Sequence, residues 1–209
     1  MTNLQWYKKE TLVKSIAEHP EVSSINRRNF YTGLSFTRIV FNANLVDYLG
    51  PANQESFDDM FEKAKILHGI LKGKKEAEQV IAAFKVFKST KNYKIFSSDI
   101  SSLSSSYSEN LAEEQKFYFK VGNISAQLEH GIETRNSALF ILTELELELI
   151  LKNTPKEIPS DLVSSLKKTG DILSNGDFLD DDSDDYVKLH DQLRLVFNLM
   201  GQLSDSDVN

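Results

Sequence analysis

The sequence predicts an all-α protein, a bundle of about six to eight helices organised around a long central one. Three observations carry this. The 209 residues are 40% hydrophobic and 26% charged, enough for a sizeable core. Only four prolines and nine glycines occur, and Pro20, Pro51, Pro155 and Pro159 all fall at plausible element ends. Apolar residues recur at three- and four-residue steps over long stretches, the signature of helical faces.

Taken in order, the first helix is predicted from Lys8 to His19, with Leu12, Val13, Ile16 and Ala17 on one side and Pro20 beyond its end. A longer helix follows from Ile25 to Leu49, capped by Ser23 or Ser24 and stopped by Gly50-Pro51. Phe30, Leu34, Phe41, Leu45 and Tyr48 step along one face of it, and Ile39, Val40, Val46 and Leu49 widen that face, which implies deep burial. Gln54 to Gly73 and Glu76 to Ser89 give two more helices, with Lys72-Gly73-Lys74-Lys75 as kink or separator. The serine-rich run from Lys91 to Asn110 has low helical preference, and reads as a loop or loose helical turn with a short strand conceivable at Tyr93 to Phe96.

The central element is predicted from Lys116 to Asn153, about 55 Å if continuous. Ile124, Leu128, Ile132, Leu139, Leu142, Leu145 and Leu149 mark its face, and the missing step falls on Arg135. Gly122 and Gly131 mark places where it bends or where another helix comes close. Leu145, Leu147 and Leu149 alternate with glutamates, a strand-like pattern, but leucine and glutamate are strong helix formers and Glu148 stands four residues before Lys152. The segment is therefore helix, with leucines facing two neighbours. Thr154-Pro155 ends it. Two last helices are expected from Asp161 to Leu173 and from Tyr186 to Leu203, joined by an acidic loop. Residues 1–203 then form one helical domain, with 204–209 a flexible acidic tail.

Composition narrows the function. With no cysteine, disulfides, thiolate zinc sites and cysteine nucleophiles are excluded. No apolar segment near the amino terminus resembles a signal peptide, and no run is long enough to cross a bilayer, so a cytoplasmic protein without membrane contact is expected. The net charge of −7 argues against broad nucleic-acid binding, but it is unevenly placed. Nine lysines against two acids lie between Lys63 and Lys94, and ten aspartates against Lys188 and Arg194 lie from Asp171 onward.

Four constellations bear on chemistry. Asp180, Asp182, Asp184 and Asp191 imitate the oxygen spacing of a calcium loop, but Asp185 replaces the turn glycine and a short aspartate ends the loop, so helix capping is the better account. His130, Glu133 and Arg135 place base, acid and cation on the central helix, yet no metal-binding histidine pattern accompanies them. Gly69 to Lys75 is one residue short of a phosphate loop and lacks the following hydroxyl. Lys72, Lys74, Lys75, Lys85 and Lys88 interleave with aromatics in a way that suits an anion or a single-stranded nucleic acid, although the phenylalanines keep core spacing.

With no assembled catalytic set, the sequence points first to a non-enzymatic protein–protein interaction module, an adaptor or an inhibitor of a larger partner, needing no cofactor. Surplus leucines between Leu139 and Leu151 supply the contact, with Leu147 as its test residue and homo-oligomerisation as one form of it. The alternatives are an anion or nucleic-acid binder using Lys72 to Lys94, and a helical enzyme built on His130, Glu133 and Arg135.

Overall fold

The computed structural model describes residues 24–49, 54–180 and 183–201, with side chains over 25–44, 58–180 and 183–201. The predicted helix at 8–19, the stop at Gly50-Pro51, Asp182 and the tail at 204–209 lie outside the described residues. Eight helices follow one another among the described residues, with no strand: α1 (Ser24–Leu49), α2 (Gln54–Ile70), α3 (Lys75–Thr90), α4 (Tyr93–Glu109), α5 (Glu113–Thr134), α6 (Ser137–Lys152), α7 (Ser160–Asn175) and α8 (Asp184–Leu199). The all-α bundle is what the periodicity predicts. No described helix is long and apolar enough to cross a membrane.

Packing divides into two compact units. One is Asn29–Ala126; the other joins Met1–Arg28 to Gln127–Asn209. In the first unit, α2 packs on α3 and α3 on α4. Phe36, Ile39, Met60, Leu67, Val80, Phe87, Phe96 and Ile100 fill its core, each at most 1% exposed. Phe87 stacks on Phe96 at 4.7 Å between ring centroids, and Tyr93 meets Phe87 edge-on at the same separation.

The serine-rich run is the first correction. It is helix α4, neither loop nor strand. Asn92 caps it by accepting a hydrogen bond from the Ile95 N–H at 3.0 Å. Tyr93, Phe96, Ile100 and Tyr107 are buried and Leu103 is packed beside them, a strict three–four repeat that turns most of the serines to solvent. Each serine costs roughly half a kcal/mol of helix propensity, and burial of each large apolar side chain returns about 1.5–3 kcal/mol. Packing wins. Tyr107 Oη then ties the helix down by donating to Asn29 Oδ1 at 2.7 Å.

The tightest contact in this unit joins α1 and α5. A Cβ at Gly33 would lie 2.1 Å from the Phe119 carbonyl oxygen, and one at Gly122 would lie 2.0 Å from that of Phe30. Both distances are far inside contact, so only glycine permits the two backbones to meet there. Thr37 Oγ1 donates to Asn123 Oδ1 at 3.1 Å beside the crossing.

The second correction concerns the long central helix, which is two helices. α5 ends at Thr134, Arg135 takes a left-handed conformation (φ +53°), and α6 starts at Ser137. The Asn136 N–H closes the end of α5 by donating to the Gly131 carbonyl at 3.0 Å, the six-to-one bond of a left-handed helix cap. The Asn136 side chain at once begins α6, accepting from the Ala138 N–H at 3.2 Å. α6 then packs on the part of α5 belonging to the second unit: Phe140 lies against Gly131, and Thr143 donates to Gln127 at 3.1 Å. Beyond it, α7 packs on α6 and α8 on α7.

The crossing gives a paired test. Gly33→Ala or Gly122→Ala will overpack the contact and lower stability by about 1–3 kcal/mol in denaturant unfolding. Gly69→Ala, where an added Cβ meets nothing within 4 Å, will leave stability unchanged or raise it by up to about 1 kcal/mol. Equal effects at the three positions would refute the close crossing.

Candidate interaction surface

The sequence of α6 presents two apolar stripes, and they go to opposite sides. Phe140, Thr143, Leu147 and Ile150, spaced three, four and three, are buried. Leu147 is 1% exposed, so the residue chosen from sequence as an interface test belongs to the core instead. The outer stripe is Ala138, Ile141, Leu142, Leu145 and Leu149. Its four large members are 61%, 56%, 60% and 57% exposed, the main group of exposed large apolar side chains on any one described helix.

Glutamates border this stripe. Glu146 accepts from Gln127 Nε2 at 3.1 Å, and Glu148 pairs with Lys152 at 3.3 Å across one turn. Glu144 is turned towards α7, where the Ser174 hydroxyl donates to it. The Glu146 and Glu144 bonds tie α6 to α5 and α7, the Glu148–Lys152 pair stays within α6, and the leucines are left uncovered.

The remaining candidates are placed apart. Lys72 and Lys74 lie in the turn before α3, Lys75 opens the helix, and Lys85 and Lys88 lie further along it, so the basic residues spread over about 20 Å rather than converging. Lys74 sits 5.9 Å from the Tyr107 ring centroid, and Lys75 reaches Glu76 at 4.0 Å. Gly69 to Lys75 is the end of α2 and the turn after it, so a helix leads into it where a phosphate loop needs a strand.

Of the proposed catalytic group, Arg135 commits its guanidinium to the Tyr186 ring, 4.0 Å from the centroid, and Glu133 is exposed. His130 is half-buried on α5. Burial lowers its pKa, with the Glu129 carboxylate acting in the opposite direction. In the acidic segment, Asp185 holds the loop together. It accepts from Lys188 at 2.6 Å and from the Asp177 N–H at 2.9 Å, and these bonds, the lysine's foremost, hold its carboxyl below the usual aspartate range. Ser183 caps α8, accepting from the Asp185 N–H at 3.2 Å. Asp180, Asp184 and Asp191 are not gathered into a metal site: no cluster of three or more metal-ligating side chains occurs among the described residues.

Phe140, Phe178 and Tyr186 meet with ring centroids 4.6–5.8 Å apart, and the Arg135 guanidinium lies over the Tyr186 ring. This aromatic group anchors α6 to the start of α8 and was not apparent in the sequence, since its members come from three separate segments. No family model matches the chain, and neither a curated protein nor a solved structure does.

The histidines predict an acid limb of stability. Burial lowers the pKa of both His130 and His190 below the ordinary 6.5. The fold therefore favours their neutral forms; that contribution is complete above 6.5 and is lost as pH falls through it towards the lower folded values. Thermal unfolding between about pH 7 and pH 5 will show a smaller fall in midpoint for a His130→Gln/His190→Gln variant than for the wild type. An unchanged slope would contradict this assignment.

Proposed function

We propose that this chain is a non-enzymatic protein–protein interaction module, an adaptor or inhibitor that docks through the outer face of α6. The single observation carrying the reading is the exposed stripe of Ile141, Leu142, Leu145 and Leu149. Isolated exposed leucines are ordinary on a folded surface, but a contiguous row along one helix face is the kind of patch that partners cover. Covering one such side chain is worth about 1.5–3 kcal/mol before ordering costs, so a few suffice for a specific contact. The inner stripe already holds α6 in place, so these leucines are surplus to its packing.

Self-association and capture of a different protein are both forms of this function. The lysines of α3 offer less: they are spread along the helix, and Lys74 and Lys75 already have neighbours within reach.

Two sets of variants test the assignment. Leu142→Ser/Leu145→Ser/Leu149→Ser will keep the fold and lose only the helix propensity of three leucines, about 1–1.5 kcal/mol, because these side chains are exposed. Leu147→Glu will lower stability by several kcal/mol, because it buries a charge without a partner. In affinity capture from native lysate, with nuclease and at two salt concentrations, the wild type will retain a stoichiometric protein that the triple serine variant loses. Retention by that variant would remove the α6 face from the account. Capture of nucleic acid alone, lost at high salt, would move the function to the lysines of α3.

A further inference from the structure

We infer that the outer face of α6 takes one kind of occupant: an amphipathic helix of another protein, apolar along one stripe and flanked by lysine or arginine. This rests on the α6 face being a docking surface, and adds the chemistry of what docks.

The spacing selects a helix. Ala138, Leu142, Leu145 and Leu149 step by four, three and four, the repeat of a coiled-coil seam whose holes accept knobs from a facing helix. The seam runs about 17 Å, the length of a three-turn segment. A strand would present side chains at every second residue and match only part of it.

Charge selects the flanks. In this seam Glu146 and Glu148 occupy the bordering positions that set partner choice in helix pairs. Glu146 accepts from the neutral amide of Gln127, which leaves its charge in place, whereas Glu148 shares Lys152. The wider segment has the same sign. Residues 127–209 carry seventeen aspartates and glutamates against seven lysines and arginines, a net charge of −10, while residues 1–126 carry fourteen against seventeen. A second copy laid on this face would bring two strongly acidic segments together; a cationic helix would neutralise the border. The leucines then supply affinity, and the glutamates reject partners of the wrong charge.

The test uses the full chain and three synthetic peptides of about 14 residues. One has leucine at the seam positions and lysine at the flanks, the second has glutamate at the flanks, and the third scrambles the first. In fluorescence anisotropy the lysine-flanked peptide will bind at least about tenfold more tightly than either control. Its affinity will fall as salt rises. Leu145→Ser/Leu149→Ser will abolish that preference, and Glu146→Lys/Glu148→Lys will shift it towards the glutamate-flanked peptide.

Equal binding of the scramble would mean charge attraction alone and overturn the inference, as would equal binding of the glutamate-flanked peptide. Sedimentation of the protein without peptide separates this failure from that of the underlying reading. A dimer lost in the serine variant, with no preference for the lysine-flanked peptide, would keep the docking surface and overturn the cationic occupant. No dimer and no peptide binding would overturn both.

Discussion

The break at Arg135 and Asn136 is the constraint on which the second unit depends. A left-handed non-glycine residue costs about 1–3 kcal/mol, so a continuous helix would be preferred unless something offset it. Three interactions do. The Asn136 N–H satisfies the Gly131 carbonyl, the Asn136 side chain caps α6, and the Arg135 guanidinium lies on the Tyr186 ring. A cap is worth about 1 kcal/mol and a cation–π contact about 0.5–2 kcal/mol, which together match the cost. Once the chain has reversed, Phe140, Thr143, Leu147 and Ile150 turn inward. The other leucine row is then left facing out. Exposure of the α6 stripe is thus a consequence of the turn, not an isolated surface accident.

The first unit depends on a different constraint, the backbone contact at Gly33 and Gly122. Each glycine costs about 1 kcal/mol within a helix relative to alanine. In exchange, α1 and α5 approach closely enough for Phe36 and Phe119 to share one aromatic group with Tyr107. The two units therefore solve the same problem in different ways. One brings helices together by deleting side chains, the other by reversing the chain.

Much of this was legible in the residues. The helical class follows from periodicity, and of the two readings open for Gly122, a bend or a close approach, the structure shows the close approach. Two features were misread, both because local preference was weighed without its competitor. The serines of α4 suggest a loop or a loose helical turn, yet Tyr93, Phe96, Ile100, Leu103 and Tyr107 keep a perfect helical step beneath them. The seven-residue gap between Ile132 and Leu139 was read as a charge within one long helix. Arg135-Asn136-Ser137, a cap followed by a start, is what fills it. With the helix continuous, Leu139, Leu142, Leu145 and Leu149 seemed to extend the inner face. Breaking it resets the rotation, so the buried and exposed leucines could not be told apart by spacing alone. The contacts of Arg135 with Tyr186, and of Phe140 with Phe178, join residues about forty to fifty apart, beyond the reach of any local pattern.

The central claim is that one leucine row of α6 is core and the other is open to solvent. The absence of cysteine from the chain makes this directly measurable, since a single introduced thiol has no competitor. Leu145→Cys, Leu147→Cys and Leu149→Cys would each be labelled with a maleimide under native conditions and again in denaturant. The account predicts that positions 145 and 149 react natively at close to their denatured rates, while position 147 reacts only on unfolding. Protection of 145 and 149 in a folded monomer, or free reaction at 147, would contradict it.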